Sequence, residues 1–125
     1  MGGVRRGLGD MGENLAVEYL QNHGYVIRER NWRMPQLGEI DIVAEERGCL
    51  VFVEVRTRRG RAYGTPEESI NVAKKLRLVQ LAMSYRQTHQ DVGLPADERI
   101  DIVAVELTPA GRLFRIEVIK NAVGV

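Results

Sequence analysis

Apolar positions recur along the chain with two periods, and the switches between those periods lay out its elements. Residues 1–9 hold four glycines and no hydrophobic repeat, which predicts a flexible lead-in. From Asp10, with Glu13 three residues on in capping-box spacing, Ala16, Val17 and Leu20 repeat at helical intervals. They predict a helix to about His23, stopped by Gly24. Tyr25 to Trp32, Glu39 to Glu45 and Cys49 to Arg58 are β-rich runs with short connections, so they predict an antiparallel meander. Thr65-Pro66-Glu67-Glu68 then joins an N-cap, a proline at the first helical position and a capping-box acid. A long helix to about His89 is expected to follow. Its stripe of Val72, Leu76, Val79 and Met83, joined by Ile70, Ala73 and Ala82, is expected to face a sheet. Arg99 to Leu107 and Arg112 to Ile119 read as two further strands.

The order is therefore one helix, three strands, a long helix and two strands. A crossover helix makes the third and fourth strands parallel neighbours, while short connections keep the hairpins antiparallel. The prediction is an α/β fold with a mixed five-stranded sheet and flanking helices. Its 125 residues suit one domain, residues 10–125, behind the lead-in.

Two strands carry acids where their alternation calls for apolar residues. The run Leu50 to Arg56 is apolar on both faces until Glu54, as expected of a central strand. Its hairpin neighbour brings Asp41 level with Glu54 across a turn at Glu46 to Gly48. Two convergent carboxylates repel and resist desolvation, so a positive group should sit between them. Either Arg56 or Arg58 supplies an ion pair, or the acids form an oxygen-ligand site for Mg²⁺ or Mn²⁺. Glu13 shares a helical face with Ala16, Val17 and Leu20, an unusual place for an acid unless it serves a site or caps its helix. Glu39 shares the face of Asp41 but sits at the strand entrance, where a solvated acid is ordinary.

Composition narrows the picture only a little. The net charge of +1 offers no global attraction to polyanions, so any such binding must come from local clusters. One cluster is Arg56 to Gly64, with Arg58, Arg59 and Arg61 beside Tyr63. It suits a phosphate clamp with a stacking ring, or else a solvated strand exit. Arg5, Arg6, Arg28, Arg30 and Arg33 widen that footprint if they share its face. Lys74 and Lys75 read as a solvated helix face from which one side chain can reach the acids. Arg99 and Asp101 are expected to pair with each other, and His23 and His89 to sit at helix ends. The single cysteine, Cys49, reads as a small buried hydrophobe and suits a reducing compartment, with cytoplasm the expected setting. No run is long enough to suggest a membrane span, and the first residues lack the hydrophobic region of a signal peptide.

Asp41 followed by Glu54-Val55-Arg56 resembles the PD-(D/E)-x-K nuclease signature, with Arg56 in the slot usually held by lysine. Further motifs are Gly12-Glu13, Asn31-Trp32-Arg33, Gly38-Glu39-Ile40-Asp41, Phe52 to Arg56, Tyr63 to Pro66, Lys74 to Leu76 and Arg99 to Asp101. Together they resemble the bacterial YraN family of uncharacterised proteins over about residues 9–107. That family is similar to archaeal Holliday junction resolvases, which implies a restriction-endonuclease-like fold with sheet order 1-2-3-4-5. The resemblance implies catalytic roles for Asp41, Glu54 and Arg56. It also implies a Mg²⁺ or Mn²⁺ shell from Asp41, Glu54, the Val55 carbonyl and Glu13. Arg58, Arg59, Arg61, Tyr63 and Lys74 are the candidate nucleic-acid contacts. The expected function is metal-dependent cleavage of DNA, branched DNA included. The alternative is a non-catalytic nucleic-acid-binding module on a nuclease scaffold, because arginine keeps its protons and cannot act as a general base. DNA is favoured over RNA as partner, no membrane is expected, and a homodimer is left open.

Overall fold

The computed structural model describes residues 3–123. Helix α1 spans Gly3–Asn22, so it begins well ahead of Asp10, which lies inside the helix instead of capping it. Residues 1 and 2 of the lead-in lie outside the described residues. The helix stops where the sequence says it should. Gly24, at φ 91°, donates its N–H to the Gln21 carbonyl, and Tyr25 donates to Leu20, the paired bonds of a glycine-terminated helix.

Strands β1 (Val26–Met34), β2 (Gly38–Glu46), β3 (Cys49–Arg59), β4 (Asp97–Leu107) and β5 (Leu113–Ile119) form one sheet in the order β1-β2-β3-β4-β5. β3 and β4 are parallel, and the other neighbours antiparallel. This is the mixed sheet and element order expected of a restriction-endonuclease-like fold. Ala16 and Leu20 of α1 pack with Ile42, Val53, Val103 and Val105 in one core. A second core joins Leu78, Leu81 and Tyr85 of α2 (Val72–Thr88) to Val43, Leu50, Phe52 and Ile100. Among the described residues no helix is long and apolar enough to cross a membrane.

The second helix departs from expectation twice. Glu68 accepts from both the backbone N–H and the hydroxyl of Thr65, but this closes only a short 3₁₀ turn, Glu67–Ser69. Ile70 is then extended and buried, and Asn71 restarts the helix by accepting the Lys74 N–H at 2.8 Å. Of the expected stripe, Ile70, Val79 and Ala82 pack inward, whereas Val72, Leu76 and Met83 face away from the sheet at 72%, 60% and 65% exposure, and Ala73 is exposed as well. α2 carries apolar residues on two faces, and Tyr85 decides between them. Its ring meets Trp32 and Phe52 edge-on at 5.2 and 5.6 Å, while its hydroxyl donates to Glu29. An aromatic ring with a satisfied hydroxyl outweighs the smaller side chains opposite.

Candidate functional site

Pairing between β2 and β3 ends at Ile42 and Val53, one residue short of Asp41 and Glu54. Where the strands part, their backbone groups need other partners, and the Val55 N–H donates to Asp41 Oδ2 at 2.8 Å. Glu54 beside it is buried, with 4% exposure. Burial first, then the charge of Glu54, pushes Asp41 up to about 8, opposed by the Val55 N–H and reinforced by Glu13 and Glu39. Burial also raises Glu54, against Lys74, Arg56 and hydrogen bonding with Asp41. Both carboxyls are thus pushed toward their protonated forms chiefly by burial.

Two cations reach this pair from different elements. Arg56, two residues along β3, sets Nε 3.2 Å from Glu54 Oε2, yet its N–H finds no hydrogen-bond acceptor and remains buried without a partner. Lys74, on the first turn of α2, extends Nζ to 3.5 Å from the same oxygen. The restart of the helix at Asn71 aims Lys74 at the acids. A lysine ammonium therefore stands beside Glu54 although the strand itself carries arginine.

Glu13 enters from α1. Gly12 lets the helix lie against β3, since a Cβ there would stand 1.8 Å from Thr57 Oγ1. Asn31 then grips Glu13, its Nδ2 donating at 2.9 and 3.2 Å to the two carboxylate oxygens, and Arg30 lies 3.6 Å away. Asn31 does this from φ 55° inside β1, a left-handed conformation that asparagine tolerates better than most residues. Glu13, Asp41, Val55 and Arg56 all line one cleft of about 880 Å³. Among the described residues no three His, Cys, Asp or Glu side chains stand together as a metal cage. Asp41 and Glu54 form the close pair, and Glu13 is a separate wall acid.

The donor set suits a hard divalent cation, being carboxylate and carbonyl oxygens with excess negative charge. The push on Asp41 toward its protonated form fits a carboxylate that a cation would relieve. Residues able to hold such an ion are Asp41 and Glu54, with the Val55 carbonyl and Glu13 adjacent.

The arginine loop divides. Arg58 lines the cleft, as do Arg30 and Arg33 of β1. Arg61 points elsewhere, forming two bonds to Glu106 at 2.6 and 2.9 Å. Arg59 lies over Gly111 in the β4–β5 turn, and Tyr63 is 87% exposed outside the cleft. Arg28 pairs with Glu45, and the side chains of Arg5 and Arg6 lie outside the described set. Glu39 lines the cleft as well. Gly12 and Asn31 are contributors whose roles were not read from the sequence. A glycine one position before a helical acid, and an asparagine inside a strand, were the available signals.

Away from the cleft, the other buried acids are fully partnered. Asp101 receives Tyr25 Oη, Arg99 Nε and the Asn121 N–H, each at 2.9 Å, so the expected Arg99–Asp101 pair forms. Glu46 takes Arg99 at 2.5 Å and Lys120 at 3.1 Å. His23 and His89 close their helix ends on the carbonyls of Tyr19 and Tyr85. Cys49 is half-buried, and burial pushes its thiol up, which is the behaviour of a packing residue and not of a nucleophile.

The profile of the uncharacterised protein family UPF0102 matches residues 12–105. Among curated proteins, the chain is 47% identical over 120 residues to a UPF0102 protein of Dehalococcoides mccartyi, covering 96% of this chain and 95% of that one. It is 48% identical over 119 residues to a UPF0102 protein of Symbiobacterium thermophilum, with 95% and 98% covered. A UPF0102 protein of Roseiflexus castenholzii is 46% identical over 125 residues, with 98% of each chain covered.

Proposed function

The chain belongs to the uncharacterised protein family UPF0102, the YraN family, and we propose that its cleft cleaves phosphodiester bonds in DNA with a divalent cation, branched DNA being the favoured substrate. One observation carries this reading: Asp41 and the buried Glu54 stand level where β2 and β3 part, with a lysine ammonium 3.5 Å from Glu54. A bound Mg²⁺ or Mn²⁺ would supply charge stabilisation for the scissile phosphate and a more acidic attacking water. Asp41 and Glu54 would hold that ion, with the Val55 carbonyl and Glu13 in support. Lys74 takes the place of the strand lysine, offsetting Glu54 and orienting a water or a phosphate oxygen by a point charge. Arg56 keeps its protons and so serves as a phosphate clamp from the cleft wall. Arg30, Arg33 and Arg58 line the approach and neutralise backbone phosphates. A homodimer would give the two strands of a substrate one cleft each. We assign this activity to the reducing cytoplasm, where the single thiol of Cys49 meets no oxidising partner.

Arg56 favours a second reading, a binding module without chemistry, and one experiment separates the two. Linear, flapped and four-way DNA are incubated with Mn²⁺ and wild type, Glu54→Gln, Lys74→Ala or Arg56→Lys. The nuclease reading expects cleavage that Glu54→Gln abolishes and Lys74→Ala lowers about a hundredfold, the usual scale for losing one preorganised charged donor. Arg56→Lys should retain cleavage, because Lys74 already provides the ammonium. DNA binding with no Glu54-dependent cleavage on any substrate would leave the binding module standing.

A further inference from the structure

The two edges of the sheet are built differently. β1 carries Arg28, Glu29, Arg30 and Arg33, its register shifts between Ile27 and Glu29, and Asn31 sits at positive φ. Charges and irregularities of this kind keep an edge strand from pairing with another chain. β5 is the opposite edge, and from Arg115 to Ile119 its register with β4 is unbroken. Of its 7 residues only Arg115 and Glu117 are charged, and the rest are Leu113, Phe114, Ile116, Val118 and Ile119. Leu113 and Phe114 are 48% and 64% exposed. No strand pairs with its outer side among the described residues, so half of its backbone N–H and C=O groups await a partner.

We propose that β5 pairs antiparallel with β5 of a second copy of this chain, about a twofold axis through Ile116. In that register Leu113 faces Ile119, Phe114 faces Val118, and Arg115 faces Glu117 of the other copy. Directly opposed residues share a face of the sheet, so apolar meets apolar and each cation meets an acid, every contact being made twice. The sequence selects this register against its neighbours. A slip of one residue sets Arg115 against Ile116 or Val118. A slip of two sets Arg115 against its own copy, or Glu117 against its own. Arg115 is already held in its own chain by Glu106, Glu67 and Glu117, so across the axis Glu117, its carboxylate half-exposed, adds to the acids around the partner's Arg115 without a new hydrogen bond, and the apolar pairs carry the contact. The exposed stripe on α2 has no such self-complementarity: that helix holds Lys74, Lys75, Arg77 and Arg86 and no acid, so a second copy would meet like charge.

The pairing extends the sheet to ten strands and sets the two clefts in a fixed relation. Glu54 is level with Ile102, and Ile102 with Ile119, three residues from the axis at Ile116. Five strand spacings across the sheet, and twice that offset along it, put the two Glu54 backbones about 30 Å apart on the same face. The interface stands whether the cleft cleaves nucleic acid or not.

Sedimentation equilibrium of the full chain at low to high micromolar concentration should show a monomer–dimer equilibrium. Glu117→Arg, which opposes Arg115 with like charge, should weaken it tenfold or more, with the circular dichroism and melting temperature of a folded monomer. Leu76→Asp on α2 should leave it unchanged. In a Cys49→Ser background, Ile116→Cys should cross-link two copies at the axis under mild oxidation, a readout that holds if Glu117→Arg misfolds. A monomer at every concentration overturns the proposal, as does a dimer lost in Leu76→Asp but kept in Glu117→Arg, or no Ile116→Cys cross-link.

Discussion

Replacing Asp41 by asparagine should stabilise the cation-free protein while abolishing its response to divalent ions. Burial, then Glu54, pushes the folded-state pKa of Asp41 from 3.8 to about 8. The unfolded chain releases this proton at the lower value, so between about pH 4 and 8 the folded state binds more protons. Stability therefore falls as pH rises through that window and levels off above it. Each unit is worth about 1.4 kcal/mol, which bounds the cost near pH 7 at about 4 kcal/mol. The cleft beside the carboxylate admits water, whose screening brings the net effect to about 2 kcal/mol. Asparagine keeps the shape and can still accept the Val55 N–H through Oδ1, so no cavity offsets the gain. Thermal melts from pH 4 to 9 should then place Asp41→Asn several degrees above wild type at neutral pH. Its profile should be flatter across that window. Added Mn²⁺ should raise the wild-type melting temperature by mass action, more at alkaline pH where no proton competes, and leave the variant unmoved. A variant less stable than wild type at neutral pH, with a parallel pH profile, would refute the reasoning.

Gly12→Ala should cost about 1–3 kcal/mol in urea unfolding, because the added methyl meets Thr57 Oγ1 at 1.8 Å and its Cβ at 2.9 Å. An unchanged midpoint would show that α1 can shift freely off β3. Arg61→Ala should act on acid stability: hydrogen bonds led by those of Arg61 hold Glu106 down to about 2. Stability from Glu106 is full above its ordinary 4.5 and is lost as pH falls through the depressed value, so removing Arg61 should move acid unfolding to higher pH. DNA affinity should follow Arg58→Ala and not Arg61→Ala, and equal losses in filter binding would return Arg61 to the nucleic-acid surface.

The sheet and its order are legible in the sequence because strand period, turn residues and the crossover are local signals. Asp41 and Glu54 are legible for a related reason, since an acid inside an apolar alternation is visible without any tertiary knowledge. The face of α2 is not. Val72, Leu76 and Met83 repeat as regularly as Leu78, Leu81 and Tyr85, and only contact with Trp32 and Phe52 chooses between the two sets. The start of α1 is hidden by glycines, whose low helix propensity argues against the conformation they adopt. Gly12 and Asn31 reveal their purpose only in space, one through a close approach to β3 and the other through the carboxylate it holds. For Arg58, Arg59 and Arg61, one composition covers three different surroundings. Adjacent residues on a strand point to opposite faces, and the chain turns at Gly60, at φ 73°, before Arg61 reaches Glu106.

The buried acids set the cleft apart from the rest of the fold. Asp101 is satisfied by a tyrosine, an arginine and a backbone N–H; Glu46 by Arg99 and Lys120; Glu106 by Arg61 and Arg115. A chain with 18 lysines and arginines thus has the means to partner a buried carboxylate, and does so at each of these places. At the parting of β2 and β3 the balance differs: Glu54 has Arg56 at 3.2 Å and Lys74 at 3.5 Å, while Asp41 beside it accepts the Val55 N–H and feels the charges of Glu54, Glu13 and Glu39. A fold that needed only stability would place an apolar residue at Asp41, as it does at Ile42 and Val43 beside it. Charge left unrelieved at one place, in a protein that relieves it elsewhere, is what supports the proposed site. On that proposal a divalent cation held by Asp41 and Glu54, with a phosphodiester held by the neighbouring bases, would supply the missing charges.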